Sequence, residues 1–152
     1  DRANQWHFFQ SDQIELPLYK PCEGLVLHEP DPAIIRARAI GGLGKALQAG
    51  QLDRQIAYLI GPKTTWWHPC TQSFEIVEVL PLNQKQIRQW CQSNKIGHLE
   101  IKKRGVAIEP EAYRRGLKLE PKKHPNGATL ICTRAMDQPV ALMARRLIEA
   151  PK

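Results

Sequence analysis

The chain has 152 residues, with 22 Lys and Arg against 15 Asp and Glu for a formal charge of +7, and 42% of its residues are apolar. That apolar share supports a folded core and excludes wholesale disorder, while the longest apolar runs are far too short for a membrane-spanning helix. The start at Asp1 shows neither an initiator Met nor the basic and apolar regions of an export signal, so the expectation is a piece of a longer, cytoplasmic protein.

In chain order, short apolar stretches at residues 6–9, 14–19 and 25–27 read as strands, with Pro17 arguing for an edge position. Asp31 and Pro32 then open a helix, and Ile35, Ala39, Leu43, Ala46 and Leu47 recur at helical spacing until Gly50, so one helix is predicted over 32–49. Gly41, Gly42 and Gly44 weaken it by about 0.8 to 1 kcal/mol each, which requires another backbone packed closely on that face. Residues 61–73, GPKTTWWHPCTQS, lack periodicity and read as a connector. Residues 1–72 carry 7 basic and 7 acidic residues, whereas 73–152 carry 15 and 8, so the excess charge lies in the second half. A boundary is placed near residue 72.

The second half begins with a strand at 74–80, where Phe74, Ile76 and Leu80 alternate with Glu75 and Glu78. Asn83 caps a helix with Ile87, Trp90 and Cys91 inward, and Gly97 is read as its C-terminal stop. A strand at 98–104, a turn at Gly105, a short helix opened by Glu109 and Pro110, and a hairpin of strands 128–135 and 140–146 complete the order β-α-β-α-β-β. The fold class is therefore α/β (α+β): a mixed sheet in the second half, preceded by a smaller strand-helix segment.

Most motifs lead away from chemistry. GGLGKA at 41–46 has Ala39 where a phosphate-binding loop needs its first Gly, Ala46 after the Lys, and Leu47 at the third Gly of a dinucleotide loop. Cys22, Cys70, Cys91 and Cys132 lie 48, 21 and 41 residues apart, which excludes a CxxC site and reads as reduced thiols. His68 and Cys70, with His124 elsewhere, fall short of two local ligand pairs, so no metal is expected. The pairs Glu75 with Glu78 and Glu109 with Glu111 read as a wet strand face and helix-start charges, and no nucleophile elbow occurs, so no catalytic residue is assigned.

The informative stretch is 95–123, with nine basic residues against four glutamates. Lys102, Lys103, Arg104, Arg114, Arg115, Lys118, Lys122 and Lys123 are assigned to a cationic rim that follows a polyanion backbone, with Tyr113, Trp66 and Trp67 as candidate stacking surfaces. Leu99 and Ile101 face inward beside them, and Trp90 is assigned to the core. The competing reading of the same charge is a solvated face that maintains solubility.

The blocks LEIKKRGVAIEPEAYRRGLKL and ATLICTRA, with HEPDPAIIRA and LDRQIAYLIG upstream, resemble the C-terminal region of bacterial class I S-adenosylmethionine-dependent methyltransferases that end in a THUMP-like domain. The resemblance runs from about His28 onward. It implies that residues 1–72 follow a methyltransferase core and that 73–152 form the THUMP-like domain. It also implies that S-adenosylmethionine binds an N-terminal Rossmann-like domain of the same parent chain. The acidic-Gly-x-Gly-x-Gly loop and the Asn-Pro-Pro-aromatic motif of that domain are absent here, so this stretch is read as non-catalytic and without a cofactor of its own. THUMP domains are RNA-binding modules, so RNA is the implied partner. The alternative is a structural or oligomerisation domain with no nucleic-acid role, and no membrane partner is expected.

Overall fold

The computed structural model describes residues 14–148. Seven strands form one sheet in the order β2-β3-β1-β4-β7-β6-β5. They are β1 Val26–Pro30, β2 Gly50–Gln51, β3 Leu59–Gly61, β4 Thr71–Pro81, β5 Ile96–Lys103, β6 Asn126–Ala135 and β7 Gln138–Leu147. The helices are α1 Pro32–Arg36, α2 Ile40–Ala46, α3 Gln84–Ser93 and α4 Pro110–Leu117. Among them none is long and apolar enough to cross a membrane. The order from β4 onward is the predicted β-α-β-α-β-β, and β5 and β6 pair in parallel with α4 as their connection.

Strand alternation explains how both faces are filled. On β6 and β7, Leu130, Cys132, Ala141 and Met143 point to one face, where Ile87 and Cys91 of α3 and Leu117 of α4 cover them. Ile131, Val140, Leu142 and Ala144 point to the other, where Leu52, Ile56 and Tyr58 of a loop and Phe74 and Ile76 of β4 complete a second cluster. Each large apolar side chain buried this way stabilises the fold by about 1.5 to 3 kcal/mol. Both predicted helices of the second half thus lie on the same face. Trp90 packs on the edge of the α3 cluster and is half-buried, not enclosed in it.

Several expectations need correction. The register of β4 against β7 shifts between Ile76 and Glu78, so the alternation changes phase: Val79 joins Phe74 and Ile76, and Leu80 turns to the α3 side. The predicted helix 32–49 is two helices, because Arg38 adopts a left-handed φ of 54° after α1 and the chain restarts at Ile40. Residues 14–19 form no strand; Leu18 makes a single parallel bridge to Gln51. Their packing against α2 is the close approach that its glycines require: a Cβ on Gly41 would meet the Ile14 carbonyl oxygen at 2.6 Å, and one on Gly44 would meet the Leu16 side chain. Gly97 lies within β5, and the turn after α3 falls on Lys95 with φ 56°. Residues 61–73 contain the end of β3, a 3-10 turn at Lys63–Thr65 and the start of β4. The predicted strand at 6–9 lies outside the described residues.

The sheet does not break at residue 72. β4 pairs with β1 on one side and β7 on the other, with Leu27 opposite Phe74 and Phe74 opposite Arg146. At the far end, the β6–β7 hairpin turns on Met136 and Asp137, both at positive φ as a two-residue type I′ turn requires. Asp53 holds that turn, its carboxylate accepting from the backbone N–H of Asp137 at 2.9 Å and of Gln55 at 3.0 Å.

Candidate nucleic-acid interface

A groove lined by Arg114, Arg115 and Lys118 is built by α4 and the outer edge of β5. Glu109 caps α4 with both carboxylate oxygens, accepting from Glu111 N–H at 3.1 Å and Ala112 N–H at 2.6 Å, and Pro110 takes the first helical position. Those bonds hold the Glu109 carboxyl below the usual carboxylate range. The helix ends at Lys118 in left-handed conformation. Eight residues so capped project Arg114, Arg115 and Lys118 along one side, over a groove of about 780 Å³ whose floor is Gly97, Leu99 and Ala128.

β5 is last in the sheet, so among the described residues one edge of its backbone has no strand partner. Arg114 reaches that edge and donates to the Leu99 carbonyl while pairing with Glu111 at 3.5 Å. Arg114 is therefore fixed, a positioning cation with little freedom. Arg115 and Lys118 are exposed, and among the described residues neither is in an ion pair. Lys122 and Lys123 are exposed on the turn that follows Pro121 at the groove margin, Lys123 sharing Glu120 at 3.4 Å.

The other predicted rim residues lie elsewhere. Lys102 is on the opposite sheet face, half-buried, with its ammonium 3.3 Å from Glu29 and 4.0 Å from Glu100, and 5.7 Å from the centre of the Phe74 ring. Arg104 lies 5.1 Å from the centre of the Tyr58 ring. Lys103 donates to the Ile108 carbonyl at 2.7 Å. The cationic stretch is thus divided between two faces, because successive residues on a strand alternate sides. Tyr113 packs on the α3 cluster, and its hydroxyl is buried with no hydrogen-bond partner, so burial pushes its pKa up to about 12. Trp66 and Trp67 are half-buried beside the beginning of β4.

Sequence reasoning missed the partners that span the fold. Arg146 donates to Glu100 at 2.8 Å and to Gln72 at 3.1 Å, and its guanidinium lies 4.9 Å from the Phe74 ring centre. Glu75 accepts from Lys63 and Arg145, which hold its carboxyl below the ordinary range. Lys63 and Glu75 lie 12 positions apart and the other pairs 46 to 74, so no local pattern would pair them.

No group of three or more His, Cys, Asp or Glu among the described residues could hold a metal ion. His68 Nδ1 accepts from the Cys70 N–H at 3.0 Å, and His124 stands 3.5 Å from Glu120. The glycines of 41–44 lie inside α2 with their backbone in helical bonds, and the first amide of α1 is already taken by the Asp31 carboxylate at 2.8 Å.

A profile of the THUMP domain-like family matches residues 71–146. Two uncharacterized S-adenosylmethionine-dependent methyltransferases of Mycobacterium tuberculosis, from strains CDC 1551 and H37Rv, are each 40% identical over 91 residues, covering 60% of this chain and 25% of theirs. The chain thus spans about a quarter of the length of these curated relatives. A crystal structure described as a methyltransferase of Porphyromonas gingivalis W83 superposes with a TM-score of 0.68 at 19% identity, covering 90% of this chain and 32% of that one. At that identity the likeness is one of fold. The family match over β4 to β7 places this chain in the THUMP domain-like family, and the curated relatives it is similar to are methyltransferases by name.

Proposed function

We propose that this chain is a non-catalytic, C-terminal recruiting domain of a larger S-adenosylmethionine-dependent methyltransferase, and that it seats RNA in the groove between α4 and the β5 edge. The observation that carries the reading is the pair Arg115 and Lys118: two exposed cations on one helix side, in no ion pair among the described residues, above a groove with an open strand edge. Arg114, fixed by Leu99 and Glu111, adds positive charge at the groove wall without being free to leave it. A polyanion backbone releases counterions when such cations replace them, and this supplies affinity without sequence preference. Lys122 and Lys123 extend the same field beyond Pro121. Lys102 and Arg104 do not belong to this interface, since ion pairs and an aromatic ring already engage them on the other face.

The test is charge reversal. Arg115→Glu with Lys118→Glu should weaken binding of a labelled single-stranded RNA at low salt by roughly tenfold or more. Arg36→Glu with Lys45→Glu, an equal change in charge at exposed sites on α1 and α2, should leave it nearly unchanged. Equal losses in both variants would reduce the effect to net charge, and no binding by the parent chain would favour the structural or oligomerisation role.

A further inference from the structure

Among the described residues the lining of the cationic groove includes one carboxylate, Glu100 of β5, beside Arg114, Arg115 and Lys118. Strand alternation sends its side chain away from α4, opposite to Leu99, but β5 is the outermost strand, so the carboxylate stands at the rim of the groove. It is held from behind. Glu100 Oε1 accepts from Arg146 at 2.8 Å and lies 4.0 Å from the Lys102 ammonium. Among the described residues Oε2 accepts no hydrogen bond. Of the four side chains in this ion-pair network Glu100 is the most exposed, at 46% against 34% for Arg146, 21% for Glu29 and 20% for Lys102. The network is thus closed over the sheet and open at the groove, where it presents a fixed acceptor.

A carboxylate among phosphate-binding cations works against them, since it repels the same phosphates. Arg146 and Lys102 offset that charge through Oε1 and leave Oε2 free to accept. An ionised carboxylate only accepts, so what it favours at this rim is a hydrogen-bond donor. A phosphodiester has none. In RNA every ribose supplies one, the 2′-hydroxyl, and DNA lacks it. Base amino groups also donate, but they differ from base to base and lie far from the phosphate of their own nucleotide, whereas the 2′-hydroxyl lies beside it. The cationic wall and Glu100 are close in the same way, because Arg114 donates to the carbonyl of Leu99, the residue before Glu100. His98, also in the lining, donates or accepts according to its tautomer and so makes no such demand on a ligand. Arg115 and Lys118 read phosphate, which the two nucleic acids share.

We infer that Glu100 is the residue by which the groove selects RNA over DNA, its Oε2 accepting from the 2′-hydroxyl of a nucleotide whose phosphate lies on Arg115 or Lys118. The inference rests on the RNA reading of the groove. The strand stays on the groove side of β5, and Lys102 and Arg146 act on it only by holding Glu100.

The experiment compares three octamers of one base on the 152-residue chain by fluorescence anisotropy at low salt: oligouridylate, its 2′-fluoro analogue and oligodeoxyuridylate. The fluoro analogue keeps the base, the phosphates and the RNA-like sugar pucker and removes only the donor. The parent chain should bind the ribo-octamer about tenfold or more tightly than either of the others, the worth of one hydrogen bond to a charged group. In Glu100→Ala the three affinities should converge, and the readout is their ratio, which a uniform loss of affinity would leave unchanged. The comparison on the parent chain needs no variant to fold. If the parent binds the ribo- and fluoro-octamers alike, or if Glu100→Ala keeps the parent's preference, hydroxyl reading by Glu100 is wrong. The groove reading then survives where Arg115→Ala with Lys118→Ala weakens all three octamers. If the parent chain binds none of them, both fail together.

Discussion

His28 faces Ser73 across the β1–β4 ladder, its Nδ1 2.8 Å from a hydroxyl that itself donates to the Trp66 carbonyl at 3.2 Å. That network assigns the proton to Nδ1 and leaves Nε2 bare, and Nε2 is buried with no partner. A second proton would place an unpaired charge in the interior. Burial first, and the neighbouring His68 second, push the His28 pKa from 6.5 down to about 4. The unfolded chain therefore binds more protons between pH 6.5 and 4, so the stabilising effect is fully present above about pH 6.5 and is lost as pH falls toward 4. We expect the chain to lose about 2 kcal/mol between pH 7 and pH 5 through this residue. In His28→Leu that part of the pH dependence should vanish in urea unfolding curves, and an unchanged dependence would show that His28 is protonated without cost. Nothing in the sequence singled out His28 for this role, because Ser73 lies 45 residues away. Lys102 illustrates the same limit: period-two alternation put it opposite Leu99 and Ile101, but its partner Glu29 comes from β1, beyond the reach of any local pattern.

Elements defined by their own termini were legible. The Glu109–Pro110 start of α4, the Asn83 cap of α3 and the β6–β7 hairpin all appear where cap and turn chemistry predicted them. The interior of the 32–49 segment was not, since helical spacing continues through Arg38 although the backbone turns left-handed there. Glycine gave the same ambiguity. Gly97 resembled a helix stop, but its function is proximity: a Cβ there would meet the His124 carbonyl oxygen and, at 2.8 Å, the Pro121 Cα. A Cβ on Gly127, on the adjacent strand, would meet nothing closer than the His98 carbonyl oxygen at 3.6 Å. Gly97→Ala should therefore destabilise by about 1 to 3 kcal/mol through backbone overlap, while Gly127→Ala should stay within about 0.5 kcal/mol of the parent. Thermal melts of the two variants check this. Equal melting temperatures would mean that the 121–124 turn yields without cost and does not set the groove's margin.

At the scale of the molecule, composition divided the chain near residue 72 and the family match begins at residue 71, yet the strands run through. One core cluster takes Leu27, Leu52 and Tyr58 from before that point and Phe74, Ile131 and Leu142 from after it, so the first segment closes a core that the second begins. The sequence carried the element order from β4 onward and the location of the charge. It did not carry the division of that charge between two sheet faces, which follows from β5 being an edge strand whose two sides meet different neighbours. The central claim is that phosphate is held by Arg115 and Lys118 and not by Lys102. The direct measurement is the salt dependence of single-stranded RNA binding by anisotropy, in the parent chain, in Arg115→Ala with Lys118→Ala, and in Lys102→Ala. We predict a parent whose log affinity falls linearly with log salt, a double variant flattened by about 1.4 for two lost phosphate contacts, and a Lys102 variant with the parent's slope. A double variant with the parent's slope, or a Lys102 variant flattened in its place, would contradict it.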